Sequence, residues 1–150
     1  MKRQPPVGME ETYRSLFAPL MRVALLMTGS NTAAEDAVHD VFVRCADRLD
    51  DLDHPPTYLR AAVVNECRAQ HRRRQRARRL DAAPAAQLPE ELVETLDALD
   101  RLTPRRRAAV VLRYFVDIHD DEIAQILGCR PATVRSLIRR ALTDLREALQ

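Results

Sequence analysis

The sequence has no tryptophan, only three glycines in 150 residues and an aromatic content of 4%. So few glycines leave little material for tight hairpin turns, and almost no stretch alternates apolar and polar residues as a half-buried strand would. The hydrophobic content is nevertheless 46% and mainly aliphatic, which is enough for a modest core. These shortages exclude a β-rich fold and predict an all-α protein.

Cysteine is also sparse, with Cys45, Cys67 and Cys129 widely spaced and no C-x-x-C pair. This pattern gives neither a disulfide framework nor a zinc knuckle, and it favours the reduced cytosol. No apolar run approaches membrane-spanning length, and the N-terminal MKRQPPVGMEE lacks the apolar core of a signal peptide. Motifs such as G-x-x-x-x-G-K, H-E-x-x-H and G-x-S-x-G are missing as well. We therefore expect a cytoplasmic protein that is not an enzyme, has no cofactor, binds no metal and does not contact a membrane.

Lysine is nearly absent too, because Lys2 is the only one and 23 arginines supply the other basic side chains. The formal net charge is only +2, yet RAQHRRRQRARR, residues 68–79, holds seven arginines and no acid. Residues 9–53 show the opposite bias, with nine acids against four arginines. Since arginine suits bidentate contact with phosphate or carboxylate, this separation of charge indicates two partners of different character.

Apolar residues that recur at threes and fours predict helices in the first half of the chain. The first helix runs from Tyr13 to near Gly29. The second begins at Asn31 or Thr32, with Thr32 and Glu35 as a capping box. Its predicted buried stripe consists of Val38, Val41, Phe42, Cys45 and Leu49.

Two consecutive prolines, Pro55 and Pro56, are expected to keep residues 50–56 out of helical geometry. A third helix then starts at Thr57 or Tyr58 and continues into the arginine-rich segment. Because that segment would carry charge on all sides, we expect it to be a solvated helix end.

Residues 80–91 contain two prolines and no periodic apolar stripe, and they are predicted to be a flexible linker. Helices resume beyond it, with Thr103 as an N-cap and Pro104 in the first helical position. The core face predicted for that helix consists of Val110, Val111, Tyr114 and Phe115. The chain is therefore divided into two small helical bundles, residues 9–79 and residues 92–150.

The strongest local signal is a helix-turn-helix in residues 120–149. A short helix ends at Gly128, which can adopt the positive φ of a tight turn, and Pro131 opens a longer helix. Polar side chains near the start of this second helix would meet base edges and phosphates in a DNA major groove. They are Arg130, Thr133, Arg135, Ser136, Arg139 and Arg140.

The whole order of elements resembles the extracytoplasmic-function (ECF) group of bacterial sigma-70 factors, which keep only regions 2 and 4 of that family. AAEDAVHDVFVR, residues 33–44, is similar to region 2.2, and TYLRAAVVNECRAQHRRR, residues 57–74, is similar to regions 2.3 and 2.4. LDRLTPRRRAAVVLRYFVDIHDDEIAQILGCRPATVRSLIRRAL, residues 99–142, is similar to region 4. The resemblance spans about residues 13–146.

The resemblance implies an RNA polymerase sigma factor, with the polymerase core and promoter DNA as partners. Region 2.2 of the family docks on the β′ clamp helices, which implies a polymerase contact through Glu35, Asp36, His39, Asp40 and Phe42. Regions 2.3 and 2.4 melt the minus-ten element and hold a flipped base, which implies a role for Asp53, His54, Tyr58, Asn65, Arg68 and Arg72. Region 4 reads the minus-thirty-five element as duplex through the helix-turn-helix residues named above, and a contact with the β flap is expected. Many members are inhibited by an anti-sigma factor, which is a further candidate partner.

Several positions depart from the family pattern and bear on promoter preference. In region 2 they are His39, Tyr58, Val64 and Ala69, where relatives often carry Gln, Trp, Arg and Asp. In the recognition helix Leu137 replaces a frequent Arg, and Arg130 takes a common Ser cap position.

Two other functions stay open from the residues alone. One is a stand-alone helix-turn-helix regulator, and the other is an inactive sigma-like interaction module.

Overall fold

The computed structural model describes residues 7–77 and 90–148, and this part of the chain is helical with no strand. Its helices are α1 (Val7–Thr28), α2 (Asn31–Cys45), α3 (Pro55–Ala77), α4 (Glu90–Asp100), α5 (Pro104–Val110), α6 (Asp120–Leu127) and α7 (Pro131–Ala148). A 3₁₀ segment, Ala46–Asp51, follows α2, and a π-helical segment, Val111–Phe115, continues α5. The all-α prediction is confirmed.

The first unit consists of α1, α2 and α3, which pack against one another around an aliphatic core. Fully buried side chains recur three or four residues apart, as Val38 and Val41 do on α2 and Leu59 and Val63 do on α3. All five residues of the stripe predicted for the second helix are buried. The sequence periodicity therefore identified the inner face of this unit correctly.

The start of α2 differs from the prediction. Ser30 is the N-cap, and its hydroxyl accepts a hydrogen bond from the Ala33 amide at 3.3 Å, so Thr32 and Glu35 do not form the capping box. Gly29 adopts a φ of 71°, which turns the chain three residues before Thr32. The predicted box was wrong because this glycine turn places the serine, and not the threonine, at the helix entry.

Pro55 and Pro56 also differ from the prediction, because they are the first two residues of α3. The first amides of a helix have no intrahelical acceptor, so a proline there loses no hydrogen bond. The preceding turn is completed by the 3₁₀ segment Ala46–Asp51, with Leu49 buried. The two prolines thus begin the third helix where they were expected to exclude it.

The second unit contains α4 to α7. Thr103 accepts a hydrogen bond from the Arg106 amide at 3.3 Å, and Pro104 follows at the first helical position, as predicted. Gly128 ends α6 with a φ of 66°, and Pro131 opens α7. Since α4 begins at Glu90, the predicted linker is two residues shorter at this end, and the rest of it lies outside the described residues.

Tyr114 and Phe115 are exposed, which corrects their assignment to the core face. They lie in the π-helical segment, where the Val116 amide donates to the Val111 carbonyl at 3.2 Å across five residues. This wider turn rotates the following side chains away from the 3.6-residue stripe that starts at Val110 and Val111. The core therefore ends at Leu112, and the two aromatic rings lie at the surface.

The two units share one continuous hydrophobic core. Arg107 of α5 is buried, and its Nε donates to the Leu26 carbonyl of α1 at 2.7 Å. Arg60 of α3 pairs with Glu122 of α6 at 3.2 Å between Nη1 and Oε1. The first of these contacts joins residues 81 positions apart in the chain, and the second joins residues 62 positions apart.

We predict that Phe42→Ala lowers the free energy of unfolding by about 3 to 5 kcal/mol, because it removes a buried ring that packs edge-on against Tyr13 at 4.8 Å. Val43→Ala is the control, since the neighbouring valine is 64% exposed and its loss should change stability by no more than about 0.5 kcal/mol. Urea unfolding measures both. Equal effects of the two substitutions would contradict the placement of Phe42 inside the core.

Candidate nucleic-acid interface

The exposed face of α2 carries the acidic residues expected there. Glu35, Asp36, His39 and Asp40 point to solvent because alanines and valines one position away occupy the core side of the helix. These four residues, together with Val43, are called the α2 face below. A helix face with three carboxylates repels DNA phosphate, so this surface suits a protein partner.

Phe42 is not part of this face, because the structure leaves only 3% of it exposed. It supports α2 from beneath by packing against Tyr13 of α1. Val43 is the exposed apolar residue instead, and its spacing of four and seven from His39 and Asp36 puts it on the same face. Sequence reasoning missed Val43 because a valine in a helix is ordinarily assigned to the core.

A cleft of about 320 Å³ lies at the start of α3 and is called the α3 cleft. One wall comes from the first unit and holds three of the predicted DNA contacts, Asp53, His54 and Tyr58. Tyr58 is 38% exposed, so part of this residue is accessible to a binding partner. The other wall is formed by Gln125 and Ile126 of α6, which no sequence pattern placed there.

Farther along α3, Asn65 and Arg72 are exposed and Arg68 is half-buried. The Arg68 Nη1 donates to the Asn65 Oδ1 at 3.5 Å. Burial lowers the pKa of the Arg68 guanidinium, and the nearby charges of Arg105 and Arg72 lower it further. Three like charges so close together favour an incoming anion such as a phosphate.

The arginine-rich segment is helical as far as Ala77, and Arg78 and Arg79 lie outside the described residues. Part of its charge is neutralised within the fold. Glu66 bridges two helices, because its Oε1 accepts from Arg73 at 2.9 Å and its Oε2 accepts from Arg44 of α2 at 3.1 Å. The Glu66 side chain is almost buried, so this bridge is firmer than an ordinary surface ion pair.

The helix-turn-helix presents the predicted residues at the N-terminal part of α7. Val134, Ile138 and Ala141 are buried against α5 and α6, which turns the opposite side of the helix outward. Four predicted contacts are exposed and two are half-buried: Arg130, Arg135, Arg139 and Arg140, then Thr133 and Ser136. This arrangement is typical of a recognition helix, in which the positive end of the helix dipole and the exposed polar side chains lie together.

No group of three or more His, Cys, Asp or Glu side chains within the described ranges could hold a metal ion. None of the helices in those ranges is long and apolar enough to cross a bilayer. Cys67, the thiol nearest the arginine-rich segment, is buried, and burial raises its pKa to about 12, with Glu66 raising it further.

Arginines exposed along the second helix of a helix-turn-helix are typical of the class of DNA-binding proteins. Residues 12–77 match the family model of sigma-70 region 2, and residues 92–145 match that of sigma-70 region 4. The chain is 32% identical to the RNA polymerase sigma-E factor of Streptomyces avermitilis, with 94% of this chain and 84% of the relative covered. The chain therefore belongs to the sigma-70 family of RNA polymerase sigma factors, and the resemblance seen in the sequence is confirmed.

Two further relatives support the assignment of the chain to the ECF group and the fold described above. The ECF RNA polymerase sigma factor SigL of Mycobacterium tuberculosis is 28% identical, with 95% of this chain and 89% of the relative covered. The sigma factor RpoE of Bartonella quintana, solved in complex with the anti-sigma factor NepR, superposes with a TM-score of 0.81 at 23% identity. That match covers 95% of this chain and 96% of the solved chain, so both units superpose together.

We predict that the Cys67 thiol makes stability fall at alkaline pH. Its pKa is raised on folding, so the thiol stabilises the fold below the ordinary value near 9, and this contribution is lost as pH rises toward about 12. Between pH 9 and pH 11 the parent should lose up to about 1.4 kcal/mol per pH unit more than Cys67→Ala. Urea unfolding across this range measures the difference. Cys129→Ala, at a half-buried thiol, is the control and should keep the parent's slope.

Proposed function

We propose that the three surfaces divide the work of promoter recognition. The α2 face docks on the β′ clamp helices of core RNA polymerase, the α3 cleft receives the melted minus-ten strand, and α7 reads the minus-thirty-five element as duplex. The observation that carries this proposal is the separation of charge, with carboxylates on α2 and arginines on α3 and α7. One chain with both signs on separate elements can bind a protein and DNA at the same time.

The α3 cleft suits a single strand because an unstacked base needs a ring to stack on. Unpairing costs a few kcal/mol per base, and stacking on an aromatic side chain returns about 1 to 3 kcal/mol. Tyr58 offers such a ring at the cleft wall, and Arg72 offers positive charge farther along the same helix. Strand opening is thus driven by binding energy, and the polymerase supplies the chemistry, so we propose that the chain is not itself an enzyme.

The α7 helix suits duplex DNA for a different reason. Some of its exposed arginines can make bidentate contacts with guanine edges in a major groove, and other exposed arginines can contact phosphate.

Because both DNA and polymerase are cytosolic partners in bacteria, we propose a cytoplasmic protein. The Bartonella quintana relative was solved with an anti-sigma factor, which supports an anti-sigma factor as the regulator of this chain too.

Reconstituted transcription tests the function. The protein is mixed with sigma-free core polymerase, and run-off transcripts are sequenced from a genomic promoter library. We expect specific initiation at promoters that share the same minus-ten and minus-thirty-five elements. Stable core binding without initiation would favour an inactive sigma-like module, and DNA binding without core binding would favour a stand-alone regulator.

We predict that Asp36→Arg lowers at least tenfold the amount of protein that co-elutes with core polymerase, because it reverses the charge of an exposed carboxylate on the proposed docking face. Glu11→Arg makes the same charge change at an exposed residue of α1, outside the α2 face, and is the matched control. Size-exclusion chromatography of mixtures at 0.15 M salt measures both. Equal retention of core by the two variants would show that docking occurs elsewhere.

We also predict that Arg135→Ala costs about 1 to 3 kcal/mol of binding to minus-thirty-five duplex if this side chain reads a base, with preference relaxed at that base alone. A phosphate contact would behave differently, because its loss weakens all sequences alike and reduces the salt slope by about one. Arg146→Ala, at the exposed far end of α7, should leave binding unchanged. Fluorescence anisotropy with single-base duplex variants distinguishes these results.

A further inference from the structure

We propose that the protein has a specific binding site for one water molecule, which bridges α3 and α5 and completes the hydrogen bonding of the buried Arg107. The site is a cavity of about 20 Å³ where residues of α1, α3 and α4 meet. None of its lining residues belongs to the α2 face, the α3 cleft or α7. The inference therefore goes beyond the function proposed above and does not depend on it.

Two buried side-chain atoms at this junction have no hydrogen-bond partner within the described part of the chain. One is Nη2 of Arg107, which is a donor, and the other is Oε1 of Gln70, which is an acceptor. Since burying a polar group without a partner is unfavourable, each atom favours a partner of the opposite kind. A water molecule supplies both, because its oxygen can accept from Nη2 while one of its protons is donated to Oε1.

The other two nitrogens of the Arg107 guanidinium already have acceptors. Nε donates to the Leu26 carbonyl at 2.7 Å, and Nη1 donates to Oδ1 of Asp100 at 2.9 Å. The residue is only 4% exposed, so bulk solvent does not reach Nη2. An unmet donor on a buried charged group is more costly than one on a neutral group, which makes this nitrogen the strongest polar group available to a ligand here.

The Arg107 guanidinium lies beside the cavity. Its Nη2 is 3.8 Å from the position that a Cβ on Gly29 would occupy, and Gly29 directly follows Thr28, which lines the cavity. Asp100, which accepts from the same guanidinium, also lines the cavity, and Gln70 lines it from α3. The unpaired donor and the unpaired acceptor are thus brought to one small space, the donor by the second unit and the acceptor by the first.

The size and polarity of the cavity suit one neutral molecule. About 10 to 15 Å³ is needed to hold a water, so about 20 Å³ accommodates a single one. Both signs of charge line the cavity, with Arg74 on α3 and Asp100 on α4, which favours a neutral ligand that can donate and accept. Buried waters make about three hydrogen bonds, and the Asp100 carboxylate can accept the third.

The hydroxyl of Thr28 does not compete for these two atoms, although it lines the same cavity. It donates to the Ala24 carbonyl at 2.8 Å and accepts from the Ser30 amide at 3.3 Å, so it is satisfied at the end of its own helix. The Cys67 thiol is a weak hydrogen-bonding group. The water is therefore held mainly by Arg107 and Gln70.

A crystal structure of the full chain, at a resolution that shows ordered water, tests the site directly. We expect a water peak within about 3.2 Å of both Arg107 Nη2 and Gln70 Oε1. A direct hydrogen bond between the two side chains, or no peak between them, would overturn the proposal. A second crystal soaked in sodium bromide distinguishes water from an anion, because an anomalous bromide peak at this position would show an anion site and would also overturn it.

The variant Gln70→Met keeps the length of the side chain and removes the acceptor. We expect the water peak to disappear and the midpoint of urea unfolding to fall by roughly 0.5 to 1 M, since Nη2 loses its bridge. Gln125→Met makes the same change at an exposed residue of α6 outside the cavity, and this matched control should keep both the peak and the midpoint.

A peak that persists in Gln70→Met, or equal midpoints for the two variants, would show that Gln70 does not hold the water and would overturn the bridge. If Gln70→Met does not fold, the two crystals of the parent protein decide the question. Neither measurement needs polymerase or DNA, so failure of run-off transcription would reject the proposed function and leave this result unaffected.

Discussion

The arrangement of the molecule depends on one buried guanidinium. Arg107 is the buried charged residue of the described chain, and its groups are shared between the units: Nε donates to Leu26 of α1, and Nη1 donates to Asp100 of α4 at 2.9 Å. Burial lowers its pKa, and the hydrogen bond to Asp100 opposes that shift. A buried cation is tolerated only where such acceptors surround it, so α1, α4 and α5 must meet at this point. Arg107 thereby joins the second unit to the first at the end of α1.

Acidic and basic side chains are separated between individual helices, and each unit is not uniformly of one charge. The first unit is acidic on α2 and basic on α3, although the two helices pack side by side. Small apolar residues between them allow this, because Ala37 and Val38 bury the inner side of α2 and leave its polar residues outward. Two partners of opposite charge can therefore approach one small bundle from different directions.

Local signals in the sequence predicted most of the fold and most of the candidate site. Periodicity located the helices, and Thr103, Gly128 and Pro131 marked helix ends because each acts on its own neighbours. Tyr114 was misassigned since a π-helical turn breaks the period on which the prediction relied. The packing of the two units could not be predicted, because Arg107 and Leu26 are 81 residues apart in the chain. No local sequence pattern around either residue indicates that the other is its hydrogen-bond partner.

The bridge through Glu66 has a mechanical consequence. By accepting from Arg44 of α2 and Arg73 of α3 at once, this carboxylate adds a polar link to the apolar packing between the two helices. Under the proposed function, a partner that binds α2 would therefore also act on the position of α3 through this single carboxylate.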